Sequence, residues 1–179
     1  INHEAFLPIR DYFSEIDRHY LVSDTNNELN LKELLEKKGS AFSYSEVIKW
    51  TEQLLDALNY LHSQMPAIIH RDIKPQNLRL TADGKIKLSS PGISNKLSGK
   101  INKTETNQSS STANLHFLPL EQIWESLDSA SQKVITNSYD EKSEEILKQP
   151  TDAASDIYSL AATIYYLLTA QPPIDALER

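Results

Sequence analysis

Ile69-His70-Arg71-Asp72-Ile73-Lys74-Pro75-Gln76-Asn77 is the most informative stretch of this chain. A short apolar lead-in, Ala67 to His70, opens onto a polar loop that carries a carboxylate, an ammonium and a carboxamide. Its neighbours place it. Upstream, Ser43 and Glu46 form a capping-box pair, after which Val47, Trp50, Leu54, Leu58 and Leu61 recur every three or four residues. That spacing predicts an amphipathic helix over 44–62. Downstream, residues 77–81 and 85–88 flank Ala82-Asp83-Gly84, which predicts a small hairpin closed by an Asp-Gly turn.

Further out, residues 9–14 and 18–22 are β-rich and separated by Glu15-Ile16-Asp17, a second hairpin signal. Leu29, Leu31, Leu34 and Leu35 recur near helical spacing up to Gly39, a helix stop. Residues 94–114 shift to Ser, Thr, Asn, Gln and Lys, with little to bury, and are expected to be mobile. Helices are predicted over 123–127 and over 139–147, the latter acidic through Asp140, Glu141, Glu144 and Glu145. A last helix starts near 151–155 and runs through Ile157, Leu160, Ala161, Ile164, Leu167 and Leu168. Apolar almost all round, it is expected to lie buried in the middle of a lobe.

Composition narrows the function classes. The 179 residues are 39% hydrophobic, enough for one globular domain with a sizeable core. With no cysteine there is no disulfide framework, thiolate zinc site or cysteine nucleophile. The four glycines are too scattered for a glycine-rich phosphate cradle. A formal charge of −7, with no basic run longer than Lys37-Lys38, argues against nucleic acid and anionic lipid as partners. No apolar stretch approaches the roughly 18 residues that span a bilayer, and the N-terminus lacks signal-peptide features, so a cytoplasmic location is expected. The chain starts at Ile1 and stops at Arg179 just after a helix-like segment, and is expected to be a piece of a longer protein.

The loop resembles the H-R-D-x-K-x-x-N catalytic loop of the eukaryotic-type Ser/Thr protein kinases, with its five fixed positions matched by His70, Arg71, Asp72, Lys74 and Asn77. The resemblance implies that Asp72 is the catalytic base, Lys74 steadies the γ-phosphate and Asn77 gives its carbonyl oxygen to Mg²⁺. It gives Arg71 a contact to a phosphate on the activation loop and His70 a structural place behind the catalytic loop. Residues 9–22 look like the strands leading to the hinge, so Val22, Ser23 and Asp24 would line the nucleotide together with Arg79, which stands where the family usually has an apolar residue. Leu118-Pro119-Leu120-Glu121 is similar to the A-P-E element, with Glu121 a buried structural carboxylate. Ser155-Asp156-Ile157-Tyr158-Ser159 is similar to the start of the central helix, with Asp156 bracing the catalytic loop. Pro75-Gln76 and Asp175-Ala176-Leu177-Glu178-Arg179 look more like bacterial members of the family than animal ones.

The fold so implied is α+β: a mainly α-helical C-terminal lobe of the protein-kinase-like fold with small β-hairpins. Residues 1–25 would be the end of the N-lobe strands and the hinge. Residues 26–179 would be a partial C-lobe, with the catalytic loop at 69–77, the activation segment at 90–121, an insertion at about 126–149 and the central helix at about 153–169. The family's glycine-rich loop, strand lysine and partner glutamate would lie upstream of Ile1. ATP and Mg²⁺ are the implied cofactors, although the 179-residue chain alone, with half the cleft missing, is expected neither to hold ATP nor to be active.

One departure bears on chemistry. Thirteen positions after Asn77, where the family has D-F-G, this chain has Ser90-Pro91-Gly92. Gly92 is kept, while Ser90 replaces the carboxylate that holds Mg²⁺ to the phosphates. Two functions therefore stay open: an impaired Ser/Thr kinase acting on a protein substrate, and a pseudokinase that binds a signalling partner. The insertion reads either as a solvated surface elaboration or as a docking surface. An unrelated helical interaction domain would require every matched motif to be coincidence.

Overall fold

The structure is a computed structural model and describes residues 1–16, 18–23, 29–89, 114–136, 145 and 149–178. Strands β1 (Ile9–Glu15) and β2 (Arg18–Ser23) pair antiparallel, from Ile9 opposite Ser23 to Glu15 opposite Arg18, with a register shift between Ile9 and Asp11. β1 is solvent-exposed along its whole length. Phe13 stacks on Tyr20 across the pair, with ring centroids 4.9 Å apart.

Two capping boxes start the first helices. At α1 (Leu31–Lys38), Asn30 Oδ1 accepts the Glu33 N–H at 3.0 Å while Glu33 Oε2 accepts the Asn30 N–H at 2.9 Å. Gly39 ends that helix at φ +68°, a left-handed conformation that glycine adopts without a side-chain clash. At α2 (Tyr44–His62), Ser43 and Glu46 make the same reciprocal pair. The predicted α2 face is buried in full: Val47, Trp50, Leu54, Leu58 and Leu61, with Ala57 between them. Each large apolar side chain so buried contributes about 2 kcal/mol before entropy is counted.

A single 3-10 turn, Pro75–Asn77, leads into β3 (Leu78–Leu80), which pairs antiparallel with β4 (Ile86–Leu88). Leu78, Ile86 and Leu88 sink into the core against α2, and Leu88 also bridges to Phe6. α3 (Leu120–Ser126) begins three residues earlier than predicted, directly after Pro119, whose ring cannot continue a helix backwards. α4 (Ser129–Thr136) was not predicted: only Val134 and Ile135 supply large apolar side chains, and its start is marked by Asp128, whose Oδ1 accepts the Ala130 N–H at 3.0 Å. Most of the expected acidic helix at 139–147, and nearly all of the mobile stretch at 94–114, lie outside the described residues.

α5 (Ala153–Thr169) corrects an expectation. It has the predicted span but is not buried all round. Its buried side is Ser155, Asp156, Ser159, Leu160, Ala162, Thr163 and Leu167, whereas Ile157 is 45% and Tyr165 49% exposed. Polar groups lie inward because they have hydrogen-bond work there: Thr163 Oγ1 donates to Ser159 O at 2.8 Å, and Asp156 faces the loop at 69–77. Hydrophobicity alone cannot report such a face.

Candidate active site

The site is built on α2, α5 and the loop between α2 and β3. His62, the last residue of α2, donates its Nε2–H to Asp156 Oδ2 at 2.8 Å. The same oxygen accepts the backbone N–H of His70 at 2.8 Å, and Oδ1 accepts that of Arg71 at 2.8 Å. Asp156 is fully buried, so three donors on one carboxylate replace the water it has lost. Arg71 sits at φ +65°, a left-handed conformation that a side chain disfavours by about 1–2 kcal/mol. Its carbonyl is held from the other side by Gln122 Nε2 at 2.6 Å, so α5 and α3 grip one peptide unit after another.

His70 is fully buried and both ring nitrogens are used. Nε2–H donates to Ser89 O at 2.9 Å, and Nδ1 accepts the Asp72 N–H at 3.2 Å. Both bonds suit the neutral ring. Burial pushes the His70 pKa below its ordinary value, against the Ser89 carbonyl and the charges of Asp156 and Asp72, which favour the cation.

The backbone so fixed presents Asp72, Lys74 and Asn77 together. Lys74 Nζ lies 2.7 Å from Asp72 Oδ1, both side chains being about four-fifths buried. Asn77 Nδ2 donates to Asp72 O at 2.7 Å, which commits the amide nitrogen and leaves Oδ1 as the acceptor of that side chain. A carboxylate able to take a hydroxyl proton, a cation beside it and a neutral oxygen ligand five residues on therefore share one rigid turn. Arg71 Nε is buried without a hydrogen-bond partner.

The remaining predicted residues are placed unequally. Arg79 lies on β3 opposite Lys87, and its backbone bridges to Asn30, so the segment entering α1 passes beside it. Val22 is exposed on β2, and Ser23 ends that strand. Asp24, Ser90 and Gly92 lie outside the described residues. Glu121 is half-buried rather than buried: it accepts Ser155 Oγ–H at 2.5 Å, tying the start of α3 to the start of α5. Two positioning residues had no role in the sequence reading, His62 and Gln122. His62 stood eight residues before His70 at the end of a predicted helix, a usable signal, whereas nothing around Gln122 announced its bond to a carbonyl 51 residues away.

Comparison with known proteins bears on this arrangement. The family model described as protein kinase domain matches residues 1–179. Serine/threonine-protein kinase B of Synechocystis sp. is 31% identical over 178 residues, covering 96% of this chain and 26% of the relative. Serine/threonine-protein kinase PrkC of Bacillus subtilis is 29% identical over 175 residues, 98% of this chain and 22% of the relative. The chain thus spans about a quarter of the length of these bacterial relatives. Among solved structures, Rad53 1–466 in complex with AMP-PNP superposes with a TM-score of 0.64 at 19% identity, over 98% of this chain and 36% of that one, which shows a protein-kinase-like fold.

Proposed function

This chain belongs to the protein kinase domain family, and from that membership we propose that the protein transfers the γ-phosphoryl group of ATP to serine or threonine hydroxyls of a protein substrate, at a rate lowered by Ser90. The observation that carries the reading is the Asp72–Lys74 pair at 2.7 Å on a backbone clamped by Asp156. Asp72 takes the proton of the attacking hydroxyl, and Lys74 meets the negative charge of the phosphoryl group beside it. Arg71 pairs with a phosphate on the activation segment when one is present. Val22, Ser23, Asp24 and Arg79 line the nucleotide. Residues 1–25 act as the end of an N-lobe with its hinge, and residues 26–179 as part of the C-lobe.

ATP-dependent transfer in this family uses Mg²⁺, which is held by one or two protein ligands together with phosphate oxygens and water, and Asn77 Oδ1 would supply one such ligand. Position 90 supplies a hydroxyl where the family supplies a carboxylate. Losing one electrostatic group at a reacting phosphate typically costs on the order of a hundredfold to a thousandfold in rate. Ser90-Pro91-Gly92 favours a second reading, a pseudokinase that binds a signalling partner. Among the described residues no helix is long and apolar enough to cross a membrane; the proposed location is cytoplasmic.

Phosphate incorporation into a generic protein substrate by the full-length protein, with ATP and Mg²⁺ or Mn²⁺, tests the choice. Slow incorporation that Asp72→Asn abolishes supports the kinase; the absence of any incorporation, with partner binding unaffected by Asp72→Asn, supports the pseudokinase.

A further inference from the structure

Three unfavourable features meet at the contact between Arg71 and Gln122. Arg71 has a left-handed backbone, φ +65°, without being a glycine. Its Nε is buried with no hydrogen-bond partner among the described residues. Gln122 is 8% exposed, and its Oε1 is likewise buried and unpartnered among those residues. Disfavoured backbone conformations persist where the surrounding structure enforces them, and they collect at functional sites; buried polar atoms without partners call for the same kind of explanation. Against these features stands one bond between the two residues, donated by Gln122 Nε2 to Arg71 O at 2.6 Å.

The carbonyl so held belongs to the peptide between Arg71 and Asp72. The N–H of the same peptide donates to His70 Nδ1 at 3.2 Å, so Gln122 gives the shorter of these two restraints and gives it from α3, outside the loop. Rotation of that peptide plane moves Asp72, whose Oδ1 lies 2.7 Å from Lys74 Nζ. As a contribution to stability the glutamine is a poor choice. Exchanging it for an apolar side chain of similar length loses one net hydrogen bond but also removes a buried, unsatisfied oxygen, and the two effects are similar in size and opposite in sign. We infer that Gln122 is a positioning residue for Asp72, holding the Arg71–Asp72 peptide in one orientation while adding little to the stability of the fold. That this orientation serves phosphoryl transfer rests on the kinase reading above; the restraint on the peptide does not.

Amide hydrogen exchange on the full-length protein, without nucleotide, tests the restraint in Gln122→Met, which has no donor, and in Gln122→Asn, whose amide is withdrawn by one methylene. Both variants are expected to exchange about fivefold faster over residues 69–74, as the loss of one net hydrogen bond implies. Exchange over residues 47–61 of α2 and the urea midpoint should stay at their native values, which also shows that the variants are folded. Unchanged exchange over 69–74, or a midpoint lowered as far as by Leu160→Ala with faster exchange in α2, overturns the inference. With ATP, Mg²⁺ and a protein substrate, Gln122→Met should lower kcat about tenfold to a hundredfold at an unchanged KM for ATP. A raised KM at native kcat would sever Gln122 from Asp72. Because exchange is read without ATP, a protein that transfers no phosphate but shows the local change would refute only the kinase reading.

Discussion

Asp156 Oδ1 accepts the backbone N–H of Arg71 at 2.8 Å, joining the first turn of α5 to a left-handed residue 85 positions earlier in the chain. Under the role proposed for Asp72 the bond links stability to function, because the peptide it holds leads into that residue. Asp156→Asn keeps the shape but turns one oxygen into an NH₂ group facing a donor. We predict a loss of about 2–3 kcal/mol in unfolding free energy by urea titration, with phosphotransfer lowered as well. A loss below about 0.5 kcal/mol, the range of ordinary surface substitutions, would show that the clamp is dispensable.

His70 makes stability depend on pH. Burial lowers its folded-state pKa, while the unfolded chain titrates near 6.5. Between the two values the unfolded state binds more protons, so the contribution is complete above about pH 6.5 and is lost as pH falls below it. Urea unfolding at about pH 7.5 and about pH 5.5 should show a steeper decline for the native protein than for His70→Gln. Parallel declines would mean that His70 titrates alike in both states.

The orientation of α5 is open to a direct comparison. Leu160 is 2% exposed and Ile157 45%. In the 179-residue chain, Leu160→Ala should cost about 3 kcal/mol and Ile157→Ala less than about 1 kcal/mol, measured by thermal or urea unfolding. Equal losses would restore the picture of a helix buried on every side.

The Ser43–Glu46 capping box of α2 and the Gly39 stop of α1 were legible in the sequence, since each is a local pattern with a local cause, whereas the boxes at Asn30–Glu33 and Asp152–Ser155 were not read. Ser43→Ala removes the acceptor for the Glu46 N–H and the hydroxyl that helps hold the Glu46 carboxyl below its ordinary pKa. It should lower stability by about 1 kcal/mol at neutral pH, with the difference shrinking as pH drops below about 4.5 and Glu46 protonates. A difference that grows in acid would contradict the assigned bonds.

The loop from His70 to Asn77 was legible for the same reason: its residue types and spacing lie within eight positions. The inward face of α5 was not, because Ser155, Ser159 and Thr163 look like a surface stripe until their partners are known. Gln122 and His62 escaped similarly. Each acts on a group 51 or 94 residues away, and no periodicity encodes such a distance. α4 was missed because its main local signal was Asp128, an N-cap without an apolar run behind it.

The central claim is that an intact Asp72–Lys74–Asn77 loop is held back by Ser90. Ser90→Asp in the full-length protein tests it most directly, by initial rates of phosphate transfer from ATP to a protein substrate with Mg²⁺. The account predicts a gain on the order of a hundredfold to a thousandfold over the native protein, toward the roughly 1–100 s⁻¹ typical of protein kinases, and its loss when Asp72→Asn is added. A native protein already turning over in that range, or a Ser90→Asp variant no faster than the native one, would contradict it.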